Sequence, residues 1–315
     1  MRTYITSIFD KNHLARAMAC RASLLQYAPD SPIYWLCLDE DCYAMAQKLN
    51  LKNTTVLRPS DINDTELLAV RPTRTNPEFA STCKPALLRY MMRSNIVNQG
   101  DLLAFVDPDF YFYFPAQSFF EKVYHSGSIA ITPHRFPIYR QHESALKGIF
   151  NAGIVFFKKD TEALKCLEEW RLQCLDWCYL RYKNGQIGDQ GYLNDWPKKY
   201  SSVYEIPNKG VNLSTWNIEN YKIIRKSDGN IRVDNEPLIC YHFHGLKLYL
   251  NGTNRLRAYP ITVFHIFIYK KCLEGLQDAY TVLQQHDPSW KYGTLPRLHI
   301  LRIIKQRAFA YIRRK

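Results

Sequence analysis

Asp107-Pro108-Asp109 sets two carboxylates two residues apart, directly after the apolar run Leu102-Leu103-Ala104-Phe105-Val106 and ahead of the aromatic run Phe110 to Phe114. Acidic side chains at that spacing, at the end of a buried strand, reach one hard divalent cation, and oxygen donors suit magnesium or manganese. Such a cation would neutralise a diphosphate leaving group. The competing reading is a surface turn, since Asp and Pro both form turns. A second set of donors lies in Tyr241-His242-Phe243-His244-Gly245. Alternation along a strand puts His242 and His244 on one face, where neutral imidazole completes a metal shell or meets phosphate. Of the two, His242 is the expected metal ligand.

Three further segments carry usable groups. In Phe150-Asn151-Ala152-Gly153-Ile154 an Asn precedes a small pair and then a strand, as where backbone passes close to a ligand; a plain turn is the alternative. In Gly188-Asp189-Gln190-Gly191-Tyr192-Leu193-Asn194, Asp189 either caps the following helix or binds sugar hydroxyls through its paired acceptors. Lys84 is expected to open a helix, where a cation opposes the helix dipole, so a specific role in offsetting diphosphate charge is plausible. His134 follows a strand and faces either an acceptor or the structure around it.

The elements that must position these groups alternate. Tyr4 to Phe9 reads as a buried strand, His13 to Tyr27 as a helix, Ile33 to Leu38 as a strand, Asp41 to Leu49 as a helix and Thr54 to Leu57 as a strand. A helix over Cys83 to Arg93 precedes the strand Leu102 to Val106. This β-α-β order implies an α/β protein with a mostly parallel central sheet, whose ligands gather at the carboxyl ends of the strands, near Phe9-Asp10, Asp39 and Asp107 to Asp109. Later come strands at Ser128 to Thr132, Ile154 to Phe157, Val203 to Ile206 and Leu238 to Tyr241, with helices over Thr161 to Tyr182 and Ile261 to Gln285. The expected division is a main domain over 1–255 and a basic C-terminal helical extension over 256–315.

A hydrophobic content of 46% against 23% charged residues excludes a disordered chain. The start, MRTYITSIFD, does not read as a signal peptide, and no apolar run reaches the length of a membrane span. The nine cysteines form no C-x-x-C pair, so buried reduced thiols are expected rather than zinc; the sequons at Asn53, Asn63, Asn212 and Asn251 read as chance matches. The net charge is +13, and no acidic residue follows Asp287. In the tail, Ile300, Leu301, Ile304, Ala308, Phe309 and Ile312 share one broad helix side, with arginines mostly elsewhere. Such a helix lies on an anionic membrane surface or docks on the domain. The expected location is cytoplasmic, peripheral at the inner face of the membrane.

Taken in order, Thr6-Ser7, Lys84, Asp107-x-Asp109, Phe150-Asn151-Ala152-Gly153, Asp189-Gln190-Gly191-x-Leu193-Asn194 and His242-Phe243-x-Gly245 resemble the GT-A glycosyltransferases. The likeness is to the glycogenin-like family 8 group and the related bacterial lipopolysaccharide and capsule transferases, over roughly residues 1 to 250. The resemblance implies a Rossmann-like nucleotide-diphospho-sugar transferase fold and an enzyme that moves a hexose-type sugar from a UDP-sugar, with manganese or magnesium. The acceptor would be a glycan or a lipid-linked glycan, and the sugar's configuration would be retained. It implies metal ligands at Asp107, Asp109 and His242, and uridine contacts at Thr6, Asn12 and His13. Lys84, His244, Gly245 and Lys247 would meet the diphosphate, and Asn151, Asp189 and Gln190 the donor sugar and acceptor. Lys247 stands two residues after Gly245, where the family has Lys three residues on followed by Pro-Trp, and Pro108 replaces a small or polar residue.

Three other readings compete. A nucleotidyltransferase making sugar nucleotides needs a Gly-rich basic loop after the first strand, and Ile8-Phe9-Asp10-Lys11-Asn12 has no Gly. A non-catalytic nucleic-acid-binding protein needs basic and aromatic residues interleaved on one face, whereas here the charge gathers in the tail, so no nucleic-acid partner is expected. A lectin-like relative of the same fold would bind sugar without turning over a donor.

Overall fold

The computed structural model describes residues 1–94, 96–183, 185–251, 255–259, 265–299 and 301–302. Its strands are β1 (Thr3–Phe9), β2 (Ile33–Cys37), β3 (Thr54–Leu57), β4 (Leu102–Val106), β5 (Phe110–Phe112), β6 (Ile129–Pro133), β7 (Phe150–Lys158), β8 (Val203–Glu205), β9 (Leu213–Ser214), β10 (Ile223–Arg225), β11 (Ile231–Val233), β12 (Glu236–Pro237), β13 (Cys240–His242), β14 (Lys247–Leu250) and β15 (Leu256–Tyr259). The helices are α1 (Leu14–Leu25), α2 (Glu40–Leu49), α3 (Thr65–Val70), α4 (Asn76–Arg93), α5 (Ala116–Ser126), α6 (His142–Lys147), α7 (Thr161–Asp176), α8 (Trp196–Lys199) and α9 (Ile266–His286).

Seven strands make the central sheet, in the order β3-β2-β1-β4-β7-β6-β8. β1 pairs in parallel with β2 and β4, β2 with β3, and β6 with β8, while β7 runs antiparallel between β4 and β6. Helices cover both faces, so the inner strands β1 and β4 are buried throughout rather than alternating between buried and exposed residues. All seven residues of β1 and all five of β4 are buried. Ile5, Phe9, Ala104 and Val106 face a core shared with α1 and α9, and Tyr4, Ile8, Leu103 and Phe105 face a core shared with α4 and α7.

The second sheet, β5-β13-β9, positions the site. After β4 the chain turns at Asp107 to Asp109 and leaves the central sheet as β5, which pairs antiparallel with β13. The register sets Phe110 opposite His242, and the Phe243 amide donates to the Asp109 carbonyl at 2.8 Å. Two motifs more than a hundred residues apart in sequence thus meet across a three-residue ladder.

Three local expectations change. Lys84 does not open a helix: α4 starts at Asn76, because Thr75 and Glu78 form a reciprocal cap there, and Lys84 lies in its buried interior. The helix expected to reach Tyr182 ends at Asp176, where the Tyr192 hydroxyl donates to the carbonyls of Gln173 (3.1 Å) and Trp177 (2.6 Å) and satisfies its last turn. The isolated strand at Ile154 to Phe157 is longer, running from Phe150, so Asn151 and Gly153 lie within β7.

All nine cysteines are free and buried. α9 packs on α1 and shares its core. No helix among the described residues is long and apolar enough to cross a membrane. Residues 261–264, expected to begin α9, lie outside the described residues, as does most of the expected amphipathic tail helix, at 300 and 303–315.

Candidate metal and diphosphate site

β4 delivers Asp107 and Asp109, and β13 delivers His242 and, just past its end, His244. The His242 Nε2 is 3.0 Å from an Asp109 carboxylate oxygen and 3.9 Å from Asp107 Oδ2. Asp109, His242 and His244 each present a ligand atom, and these atoms lie within 4.8 Å of one another. The turn after His244 uses Gly245 at φ +75°, a left-handed conformation that costs glycine least. Phe110 stacks on the His242 ring at 4.3 Å and Trp216 meets it edge-on at 5.2 Å, so the imidazole has little rotational freedom.

Lys84 enters from α4 with its side chain only 7% exposed. Its ammonium lies 2.7 Å from Asp189, 3.8 Å from Asp107 and 2.8 Å from the Ala152 carbonyl. Burial opposes its charge, but the carboxylates of Asp107 and Asp189 outweigh this and raise its pKa. Burial pushes Asp107 up to about 6, against the pull of Lys84 and His242 and with the help of the neighbouring carboxylates. Burial opposes the charge on Asp109 too, yet His242 holds that carboxyl below the ordinary range. His244 is shifted down by burial and by His242 beside it. Two carboxylates, Asp107 and Asp189, therefore share one ammonium, and the third, Asp109, faces imidazoles that with it make a metal-ligand donor set.

Gly153 passes through the same space. A Cβ there would stand 2.7 Å from Asn151 Oδ1, 2.7 Å from His242 Cε1 and 3.0 Å from Asp107 Oδ2. Beside it opens a cavity of about 220 Å³, bounded by Lys84, Asp107, Asn151, Asp189, Gln190 and both histidines, with Ile8, Leu180 and Ile187 as an apolar wall. That is below the roughly 300–1,000 Å³ of drug-sized sites and suits a group of about one sugar ring.

Asp189 does not cap the following turn; its side chain makes no cap bond and is drawn to Lys84 instead. Asn151 uses its whole amide. Oδ1 accepts from the Gly153 N–H and from Asn212 Nδ2, both at 3.0 Å, and Nδ2 faces His134 Nε2 and Gln190 Oε1, both at 3.3 Å. His134 is buried, with Nδ1 2.9 Å from the Gly148 carbonyl, and burial lowers its pKa to about 3. Asn12 and His13 cluster with Asp10 on the turn after β1, where His13 Nδ1 lies 3.0 Å from Asp10. Thr6 sits apart from this group, inside the sheet with its hydroxyl donating to the Ala104 carbonyl at 3.0 Å. Lys247 is exposed on β14 and does not border the cavity. Asn212, read from sequence only as a sequon, is fully buried and bonds to both Asn151 and His242; no local motif marks it.

No family model matches the chain. YfnF of Bacillus subtilis (strain 168) is 31% identical over 301 residues, covering 92% of this chain and 97% of YfnF. YfnD of the same organism is 31% identical over 249 residues, covering 78% of each chain. Both are described as uncharacterized proteins. Among solved structures, an active-site mutant of LgtC superposes with a TM-score of 0.51 at 15% identity, covering 93% of this chain and 98% of LgtC. The galactosyltransferase LgtC with donor and acceptor sugar analogs aligns at 16% identity with a TM-score of 0.49, over 93% and 98% of the two chains. The shared architecture is the GT-A fold.

Two outcomes follow from this geometry. Gly153→Ala places a methyl group among Asn151, His242 and Asp107 without straining the backbone, so manganese affinity measured by calorimetry should fall at least about tenfold while the far-ultraviolet dichroism is unchanged. His134 is depressed in the folded state, so its contribution to stability is present above the unfolded imidazole value of about 6.5 and is lost as pH falls toward about 3. Urea denaturation at pH 7 and pH 5 should show His134→Gln losing about 2 kcal/mol less between those pH values than the native chain.

Proposed function

The chain belongs to the family of the Bacillus subtilis proteins YfnD and YfnF, and from that premise we propose that it is a metal-dependent glycosyltransferase built on the GT-A fold. It moves a hexose-type sugar from a nucleotide-sugar donor, a UDP-sugar, to a glycan or lipid-linked glycan acceptor, with retention at the anomeric carbon. The observation that carries this reading is the grouping of Asp109, His242 and His244 within 4.8 Å, next to a sugar-sized cavity that holds the Lys84–Asp189 pair.

Asp107, Asp109 and His242 would hold manganese or magnesium, with His244 beside them. When bound, the cation supplies a positive charge for the diphosphate leaving group. The chain's own groups do the rest. Lys84 stays protonated between two carboxylates, so a fixed ammonium faces the cavity where negative charge gathers on departure. Asp189, held at 2.7 Å by Lys84, keeps one orientation and offers its acceptors to sugar hydroxyls. Gln190 is anchored by its own donation to the Lys147 carbonyl at 2.7 Å, and borders the cavity beside Asn151. Asn12 and His13 on the β1 turn would take the nucleoside, and Gly245 leaves room for phosphate at the β13 end. Lys247 is exposed on β14 and Thr6 is bonded inside the sheet, so this reading does not depend on either. The basic tail would hold the enzyme at the cytoplasmic face of an anionic membrane, near a lipid-linked acceptor.

The test combines binding and turnover. Thermal shift with UDP should rise with manganese and return to baseline with chelator. Asp109→Ala should lose more than about 100-fold in UDP-sugar turnover while unfolding at a similar temperature. Undiminished turnover in that variant removes the metal-dependent reading.

A further inference from the structure

We propose that Asn212 is a positioning residue that fixes which ring nitrogen of His242 faces the metal site, and that it takes its own orientation from the sugar side of the cavity. The inference rests on the reading of His242 as a metal ligand.

Asn212 precedes β9 in a left-handed conformation, φ +57°, and is completely buried. Its amide makes three contacts: Oδ1 to His242 Nδ1 at 3.2 Å, and Nδ2 to Thr132 Oγ1 at 2.8 Å and Asn151 Oδ1 at 3.0 Å. An amide can be flipped without changing its shape, so the direction of each bond needs an independent reason. The backbone supplies it. The Gly153 N–H can only donate, and it donates to Asn151, so the Asn151 atom there is the oxygen. That oxygen needs a second donor, so the Asn212 atom beside it is the nitrogen. The Asn212 atom facing His242 is then the oxygen, and His242 must carry a proton on Nδ1. Nε2, 3.0 Å from an Asp109 oxygen, is then the nitrogen that would exchange its proton for a cation. The bonds from His242 to Asn212 and from Asn212 to Asn151 both run toward the Asn151 oxygen, which also accepts from the Gly153 N–H.

The other end of the chain agrees. Asn151 Nδ2 points at His134 Nε2, which must accept, and His134 Nδ1 donates to the Gly148 carbonyl. Asn217 holds the Asn212 carbonyl at 3.3 Å, and Ser214 donates to the His242 carbonyl at 2.7 Å, so the backbones of both residues are also tied. A buried Asn with a purely structural role would satisfy its amide in any direction; this one links the residue beside the sugar cavity to the residue beside the metal.

Two substitutions separate the two ends. Asn212→Asp keeps an oxygen for His242 but replaces the donor to Asn151 with an acceptor. Asn212→Gly keeps the left-handed backbone and removes both. Manganese affinity of the full chain without nucleotide, measured by calorimetry, should stay within about threefold of native in Asn212→Asp, which keeps the acceptor for His242 Nδ1, and fall about 10- to 100-fold in Asn212→Gly. UDP-glucose hydrolysis should fall in both variants. Equal manganese loss in both variants, or none in Asn212→Gly, overturns the proposal. Should Asn212→Gly fail to fold, Asn212→Asp decides: a loss of about tenfold or more overturns the proposal. Failure of the native chain to bind manganese would instead strike the functional reading.

Discussion

A local surplus of negative charge governs this site. Asp107, Asp109 and Asp189 converge at the carboxyl end of the sheet, where Lys84 answers Asp107 and Asp189 and His242 faces Asp109. Two unit charges about 4 Å apart interact by roughly 4 kcal/mol at an effective dielectric near 20. Packing three carboxylates so closely is therefore sustainable only with compensating charge. Lys84 serves Asp107 and Asp189, while Asp109 is set against the imidazoles of His242 and His244. In the proposed function a divalent cation on that side would complete the balance, and the same cation would suit a diphosphate.

The scaffold makes the convergence reproducible. β4 ends where the charges begin, and β5 leaves the main sheet to pair with β13, so the position of His242 relative to Asp109 is set by backbone register. β7 runs antiparallel beside β4, and the Asp107 N–H donates to the Gly153 carbonyl at 2.8 Å. Gly153 is then a steric requirement: a side chain at that point would occupy the space between Asp107 and His242. The aromatic rings of Phe110 and Trp216 wall the imidazole, which substitutes packing for the flexibility a histidine would have on an open loop.

Much of this was legible in the sequence because it is local. An apolar strand ending in Asp107-Pro108-Asp109 carries its own signal, and so does His-Phe-His-Gly. The α/β order showed in the alternation of apolar runs. The start of α4 was misplaced because its determinant, the Thr75–Glu78 cap, lies eight residues before the Cys83 at which the helix was expected to begin. Asp189 was ambiguous for a related reason: capping a turn and pairing with a distant lysine use the same side chain, and only the tertiary fold brings Lys84 to 2.7 Å. Asn212 was illegible. Its role depends on partners at Thr132, Asn151 and His242, and its flanking residues resemble any strand entry.

The central claim is that Asp109 and His242 share a cation. Crystals soaked in manganese alone, measured at the manganese absorption edge, test it most directly. The account predicts an anomalous peak within bonding distance of an Asp109 oxygen and of His242 Nε2. A peak bound only elsewhere, or none beside those two atoms, contradicts it.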